Sequence, residues 1–316
     1  MLEHSDARGV AAPGLFPTIP VDDLVQQFLE HAANTRGLSV ATRRAQGRYV
    51  REFLRSTCPA ETVDLGKIAA RDLVDFVVTR AESGRTGSAR EAASTLRGFL
   101  RFLVQQGLCT KELVNAVPAM AHRSARLPCS LSDDQLAQLL TSFDRSHASG
   151  RRDYAMALCM ARLGLRVSEV VGLQLEDIAW RVGTLRIAAG KTRRTDTLPL
   201  PSDVGRAIAE YIREGRPRTS DRHVFVTHTT ARGRPLSPSS ARGAIRRGFH
   251  RAGLEVASKG THVLRRTMAT AMVCHGASLK EVADVLRHRS LNTTAVYARV
   301  DLPTLRAVAM PWPEVR

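Results

Sequence analysis

Apolar side chains begin to recur at helical spacing at Val21, where Val21, Leu24, Val25, Phe28 and Leu29 define one buried stripe. A second helix is predicted from near Ser39, with Tyr49, Val50, Phe53 and Leu54 on its inner side. A third runs through Asp72–Val78. A fourth spans roughly Ser88 to Gln106 with Leu96, Phe99, Leu100 and Leu103 inward. Four amphipathic helices in about a hundred residues predict a small all-α bundle over residues 21–116. Residues 1–20 mix charge, glycine and three prolines (Pro13, Pro17, Pro20) without an apolar stretch, the pattern of a flexible leader. Residues 117–129 are proline-flanked, basic and weakly periodic, and read as a linker. A second domain with a C-terminal tail follows over residues 130–316.

The second domain is predicted to be mainly helical with one small antiparallel sheet. Leu131, Ser132 and Gln135 supply a staple, an N-cap and the third-position partner of a capping box. Asp153 to Leu173 reads as helix broken near Gly164. Leu175–Ile178, Thr184–Ala188 and Asp196–Leu200 read as three short strands, with Gly190–Arg194 turning between the last two. Ser237-Pro238 starts another helix, and Ser278 with Glu281 caps the helix that ends at Leu286.

Charge narrows the partner. The 316 residues hold 47 Lys and Arg against 30 Asp and Glu, a formal net charge of +17. Such an excess favours polyanions, since each phosphate contact releases condensed counterions. Aromatic residues make up only 5% of the chain, few for stacking single-stranded bases, so duplex DNA is the expected partner. Two predicted helices carry basic stripes: Arg44, Arg48, Arg51 and Arg55 on the second, Arg90, Arg97 and Arg101 on the fourth. These, with Arg193 and Arg194 in the turn and Arg287, are the expected DNA contacts. The five cysteines form no C-x-x-C pair, which argues against a disulfide framework or a structural zinc site and for a reducing cytoplasm. No apolar run approaches the roughly 18 residues that span a bilayer. No metal or other cofactor is expected, because no acids, histidines or cysteines stand at ligand spacing.

Phosphodiester chemistry without a metal needs cations on the non-bridging oxygens, a nucleophile, a base and an acid for the leaving oxygen. Arginine suits the first role because its planar fork stays charged and binds two oxygens at once. Arg166 follows Leu163-Gly164-Leu165, and His262-Val263-Leu264-Arg265 opens a helix whose N-terminus favours an anion. His288 and Tyr297 follow, and Lys191 lies in the predicted hairpin turn. Singly, each has an ordinary structural explanation: Arg166 as a partner of Glu169, His288 as a helix C-cap, Tyr297 as core. Together, in this order, they do not fit six accidents.

The order R…K…H-x-x-R…H…Y resembles the tyrosine recombinase (phage-integrase-like) family. The resemblance rests on Leu163-Gly164-Leu165-Arg166-Val167-Ser168-Glu169, on Gly190-Lys191, on His262-Val263-Leu264-Arg265-Arg266-Thr267, on Val285-Leu286-Arg287-His288 and on Asn292-Thr293-Thr294-Ala295-Val296-Tyr297. It implies a helical core-binding (SAM-like) domain followed by a catalytic domain, closing on duplex DNA as a two-domain, Xer-like clamp. It implies Tyr297 as nucleophile, leaving a 3′-phosphotyrosyl link, with Arg166 and Arg265 on the non-bridging oxygens and His288 bonded to the same phosphate. It further implies His262 as base or proton relay, Lys191 as acid, and Glu169 as the carboxylate that orients Arg166 or His262. The sequence departs from the family at Arg287, usually glycine, and at Arg266, often histidine. A site-specific recombinase or integrase of a mobile element is therefore expected, monomeric when free and tetrameric in the synapse, with room for accessory proteins. The tail after Tyr297, with Trp312 between prolines, is expected to dock on a neighbouring protomer or on its own domain. The rivals are a type IB topoisomerase-like relaxing enzyme and a catalytically idle DNA-binding protein on the same fold.

Overall fold

Helix α1 (Val21–Arg36) is preceded by a short strand β1 (Thr18–Pro20) and begins with Asp22 and Asp23, acids where the helix dipole favours them. It stops at Gly37, left-handed at φ 55°, whose N–H donates to the Ala33 carbonyl. Then come α2 (Val40–Thr57), β2 (Thr62–Asp64), α3 (Ala70–Glu82), α4 (Thr86–Gln105) and α5 (Lys111–Ala116). Their stripes meet in one core in which Leu24, Phe53, Leu54, Leu73, Leu96 and Phe99 are fully buried. Each such side chain contributes about 1.5–3 kcal/mol of burial. Phe28 meets Phe99 edge-to-face at 5.5 Å. This is the bundle expected, with two additions. Residues 18–20, read as the end of a leader, pair antiparallel with β2, Ile19 opposite Val63. A fifth short helix follows the fourth.

These observations come from a computed structural model that describes residues 18–38, 40–58, 61–83, 86–120, 129–188, 195–229, 231–256, 259–288 and 293–300. Contacts divide the chain into two units, Met1–Arg123 and Ser124–Arg316.

The second unit contains α6 (Asp133–Thr141), α7 (Ala148–Arg162), α8 (Val167–Gly172), β3 (Ile178–Ala179), β4 (Thr184–Ala188), β5 (Thr195–Pro199), α9 (Ser202–Glu214), α10 (Pro238–Arg251), α11 (Thr261–Cys274) and α12 (Leu279–Val285). A 3-10 helix, Ala295–Val300, follows. Residues Ala155 to Ala161 of α7 are buried without interruption, so this helix is apolar all round at the centre of the unit. The sheet is antiparallel, in the order β3-β4-β5, with Ile187 opposite Asp196. The expected first strand is shorter than its apolar pattern suggested. Leu175–Asp177 is a 3-10 turn because Asp177 bends it back, accepting from Gln174 N at 2.9 Å and from Arg186 Nε at 3.0 Å. Among the described residues no helix is long and apolar enough to cross a membrane.

Candidate active site

The site starts from a glycine. Gly164 sits at φ +59°, and a Cβ there would lie 2.7 Å from both Leu286 Cδ2 and Met268 Sδ. The residue between α7 and α8 can therefore approach α11 and α12 only without a side chain. Two residues later, Arg166 forms the N-cap of α8. Its backbone N–H donates to Glu169 Oε2 at 2.8 Å, its Nη1 to Glu169 Oε1 at 2.7 Å and its Nη2 to the Arg287 carbonyl at 3.3 Å. The guanidinium is held from one edge while the side chain remains 40% exposed, so donors are left for an external ligand. Burial works to raise the Glu169 pKa, but the Arg166 N–H, Arg287 and the Arg166 guanidinium outweigh it and hold the carboxyl below its usual range.

Arg265 lies one turn into α11 and is 6% exposed. It donates through Nη1 to the Gly164 carbonyl and through Nη2 to the Leu286 carbonyl, tying α11 to both segments that carry the other site residues. Burial, reinforced by Arg166, pulls its pKa down to about 10, which still leaves a cation at neutral pH. Tyr297 and Glu169 act on it in the opposite sense, which sets all three groups within electrostatic reach. His262, in the first turn of α11, has its pKa lowered by burial and then by Arg266, Arg265, Arg242 and Arg166.

The end of α12 places His288. The His288 N–H donates to Ala283 O at 2.9 Å and the Arg287 N–H to Asp284 O at 3.0 Å, the paired bonds of a Schellman turn. That turn needs a left-handed residue, and Arg287 supplies it at φ 52°, at a cost of about 1–2 kcal/mol relative to glycine. His288 Nδ1 bonds Thr294 Oγ1 at 2.7 Å, and the Tyr297 N–H donates to the Thr294 carbonyl at 2.9 Å. The fully buried Thr294 thus connects the second histidine to the tyrosine. Burial and the charges of Arg265, Arg166 and Arg287 push the His288 pKa down to about 4, so the ring is neutral at pH 7 and gains a proton only where an anion offsets those cations. Tyr297 is 4% exposed and packs with Ala269, Val273, Val282 and Leu286. Burial raises its pKa, and Arg266 followed by Arg265 pulls it back.

The structure thus brings Arg166, Glu169, Arg265, His262, His288 and Tyr297 around the junction of α8, α11 and α12. Lys191, Arg193 and Arg194 lie outside the described residues. Glu169 orients Arg166; no bond from it to His262 is seen among the described residues. Three expected DNA contacts are engaged within the fold. Arg287 turns inward, 11% exposed, with Nη2 on Glu169 Oε2 at 2.6 Å, because the left-handed turn directs it across the α8 N-terminus. Arg97 donates to the carbonyls of Val117 and Pro118 at 3.1 and 2.7 Å, anchoring the chain beyond α5. Arg51 pairs with Asp22 at 2.7 Å. Arg44, Arg48, Arg55, Arg90 and Arg101 stand exposed. Sequence reasoning missed Thr294. Thr294 lies three residues before Tyr297, one 3-10 turn away, and that spacing was the available signal.

Comparison with known proteins covers most of the chain. The family model described as Phage integrase family matches residues 130–302, and that of the Phage integrase, N-terminal SAM-like domain matches residues 25–107. The Sinorhizobium fredii protein y4rA is 40% identical over 294 residues, 93% of this chain and 71% of its own length. Tyrosine recombinase XerD of Proteus mirabilis is 30% identical over 293 residues, 91% of each chain. Among solved structures, a lambda integrase tetramer bound to a Holliday junction superposes with a TM-score of 0.71 at 18% identity, covering 96% of this chain and 82% of that one.

Proposed function

This chain belongs to the phage integrase family of tyrosine recombinases, enzymes that cleave and rejoin DNA, and from that premise we propose how its own residues do so. The Tyr297 phenolic oxygen attacks a backbone phosphorus of duplex DNA. The new P–O bond to Tyr297 replaces the P–O5′ bond, leaving a 3′-phosphotyrosyl link and a free 5′-hydroxyl. The tyrosyl proton passes to His262 or through it to water, and Lys191 protonates the departing 5′-oxygen. Arg166 and Arg265 hold the non-bridging oxygens, and His288 binds the same phosphate through Nε2, its Nδ1 being fixed by Thr294. A phosphoester bond is exchanged for another, so the attack of a second 5′-hydroxyl on the link reseals DNA with no external energy source.

The observation that supports this reading is the convergence of Arg166 and Arg265, from segments about a hundred residues apart, with the buried Tyr297 tied through Thr294 to His288 and within electrostatic reach of Arg265. Two protomers bind each recombination site and four form the synapse, a stoichiometry supported by the tetrameric state of the lambda integrase neighbour. The exposed arginines of α2 and α4 grip the DNA backbone. The test is covalent trapping. Protein is incubated with nicked duplexes carrying a randomised core, the adducts are isolated under denaturing conditions, and the attached DNA is sequenced. A defined sequence joined through its 3′ end supports the proposal; adducts without sequence preference or through a 5′ end contradict it.

A further inference from the structure

Arg287 occupies a turn where glycine would be costless, yet its side chain is almost fully withdrawn from solvent. Its Nη2 lies 2.6 Å from Glu169 Oε2, and its Nε is 3.9 Å from Asp196 Oδ2 on β5. Glu169 is shared: Oε1 takes the Arg166 guanidinium and Oε2 takes Arg287. Glu169 is needed to orient Arg166, but its negative charge stands beside the spot where a phosphate must gain negative charge. Attack on a phosphodiester monoanion adds one further negative charge to the reacting group. Without Arg287, the charge of Glu169 would cancel one of the two guanidinium groups that face that phosphate.

We propose that Arg287 is a positioning residue that neutralises Glu169, so that Glu169 can orient Arg166 while Arg166 and Arg265 both present their full charge to the transition state. This rests on the phosphotyrosyl reading above. Arg287 itself does not touch the phosphate; it acts through Glu169. Its main-chain carbonyl also accepts from Arg166 Nη2 at 3.3 Å, and that contact belongs to the backbone, so it survives substitution by glycine. The side chain and the turn can therefore be separated experimentally, because Arg287→Gly keeps the left-handed residue and removes the whole side chain, while Arg287→Lys keeps a long cationic side chain on the same turn.

The experiment is a charge cycle in the full-length protein. Single-turnover adduct formation is measured on the nicked duplex recovered by trapping, for wild type, R287G, E169Q, the E169Q/R287G double variant and R287K, with Y297F as blank. R287G is expected to bind that duplex as wild type does and to form the adduct about ten- to a hundredfold more slowly. R287K, which restores a cation on the same turn, is expected to recover most of the rate. It also supplies the reading should R287G not fold. The decisive member is the double variant. Removing the now uncompensated carboxylate restores the net charge, so E169Q/R287G is expected to outrun R287G. The pH profile adds a second readout. His288 is faced by Arg166 and Arg265 as well as Arg287, so losing Arg287 should move the acidic limb of the R287G profile to higher pH. A double variant no faster than R287G, with an unmoved pH profile, would reduce Arg287 to a packing element and overturn the inference. If wild type itself forms no adduct above the Y297F blank, the catalytic reading fails first and takes this one with it, which is distinguishable because all five proteins then read alike.

Discussion

Gly164→Ala is the substitution whose outcome the geometry specifies most closely. Two costs act together. The backbone at φ +59° is left-handed, which costs a non-glycine residue about 1–2 kcal/mol. The added methyl would start 2.7 Å from Leu286 Cδ2 and Met268 Sδ, and crowding of this kind costs about 1–3 kcal/mol. Both neighbours are the ends of flexible side chains, so the lower part of that range applies, giving a total of about 2–3 kcal/mol. For a unit of this size the midpoint should fall by about 5–10 °C. The fold is mainly helical, so circular dichroism follows its unfolding. Urea titration should show an earlier midpoint at unchanged slope. Met268→Ala should return part of the loss in the double variant, because it removes one of the two obstructions. Adduct formation should fall beyond the loss of stability, since the Gly164 carbonyl anchors Arg265. An alanine variant that unfolds at the wild-type urea concentration, or a Met268→Ala background that changes nothing, would refute the claim that a close approach at Gly164 assembles the site.

Thr294→Val removes the hydroxyl bonded to His288 Nδ1 while keeping the shape. It should cost about 1 kcal/mol of stability and slow adduct formation roughly tenfold; equal rates in a single-turnover assay would mean that Thr294 does not set the imidazole. Arg44→Ala should reduce the slope of log affinity against log salt by about 0.9, the signature of one lost phosphate contact. Arg97→Ala, whose side chain is engaged with two carbonyls, should leave that slope unchanged and lower the melting temperature instead. The histidines make stability pH-dependent with a definite sign. His288 titrates near 4 in the fold against an ordinary 6.5, so its contribution is fully present above about pH 6.5 and is lost as the pH falls towards 4. His288→Gln should flatten the fall in melting temperature between pH 7 and pH 5, and identical pH slopes for the two proteins would contradict the assignment.

Helical spacing exposed α1, α2 and α4 because each has one wet face, and the capping residues Ser132, Ser237 and Ser278 marked three helix starts that the structure repeats. What escaped was set by contacts between distant residues. The β1–β2 pair is three residues on each side and joins Ile19 to Val63, too short for alternation to show. The pattern of α9, with Val204, Ala207, Ile208 and Tyr211 on one face, is legible in the sequence. At the site, the order of arginines, histidines and tyrosine carried the family resemblance, but nothing local to Arg287 reveals that its side chain closes on Glu169, 118 residues away. An exposed basic stripe and a structural arginine also look alike in sequence. Arg97 and Arg101 lie one turn apart, and only the carbonyls of Val117 and Pro118 separate their roles.

The central claim concerns one oxygen atom. The chain has four tyrosines, of which Tyr49 is buried in the first unit, and Tyr211 is buried in the second, where its ring stacks on His228. Digestion of the trapped protein–DNA adduct to a peptide carrying a nucleotide, followed by fragmentation mass spectrometry, identifies the linked residue directly. The account predicts a 3′-phosphate ester on Tyr297. An adduct on Tyr154, on another residue type, or through a 5′-phosphate would contradict it.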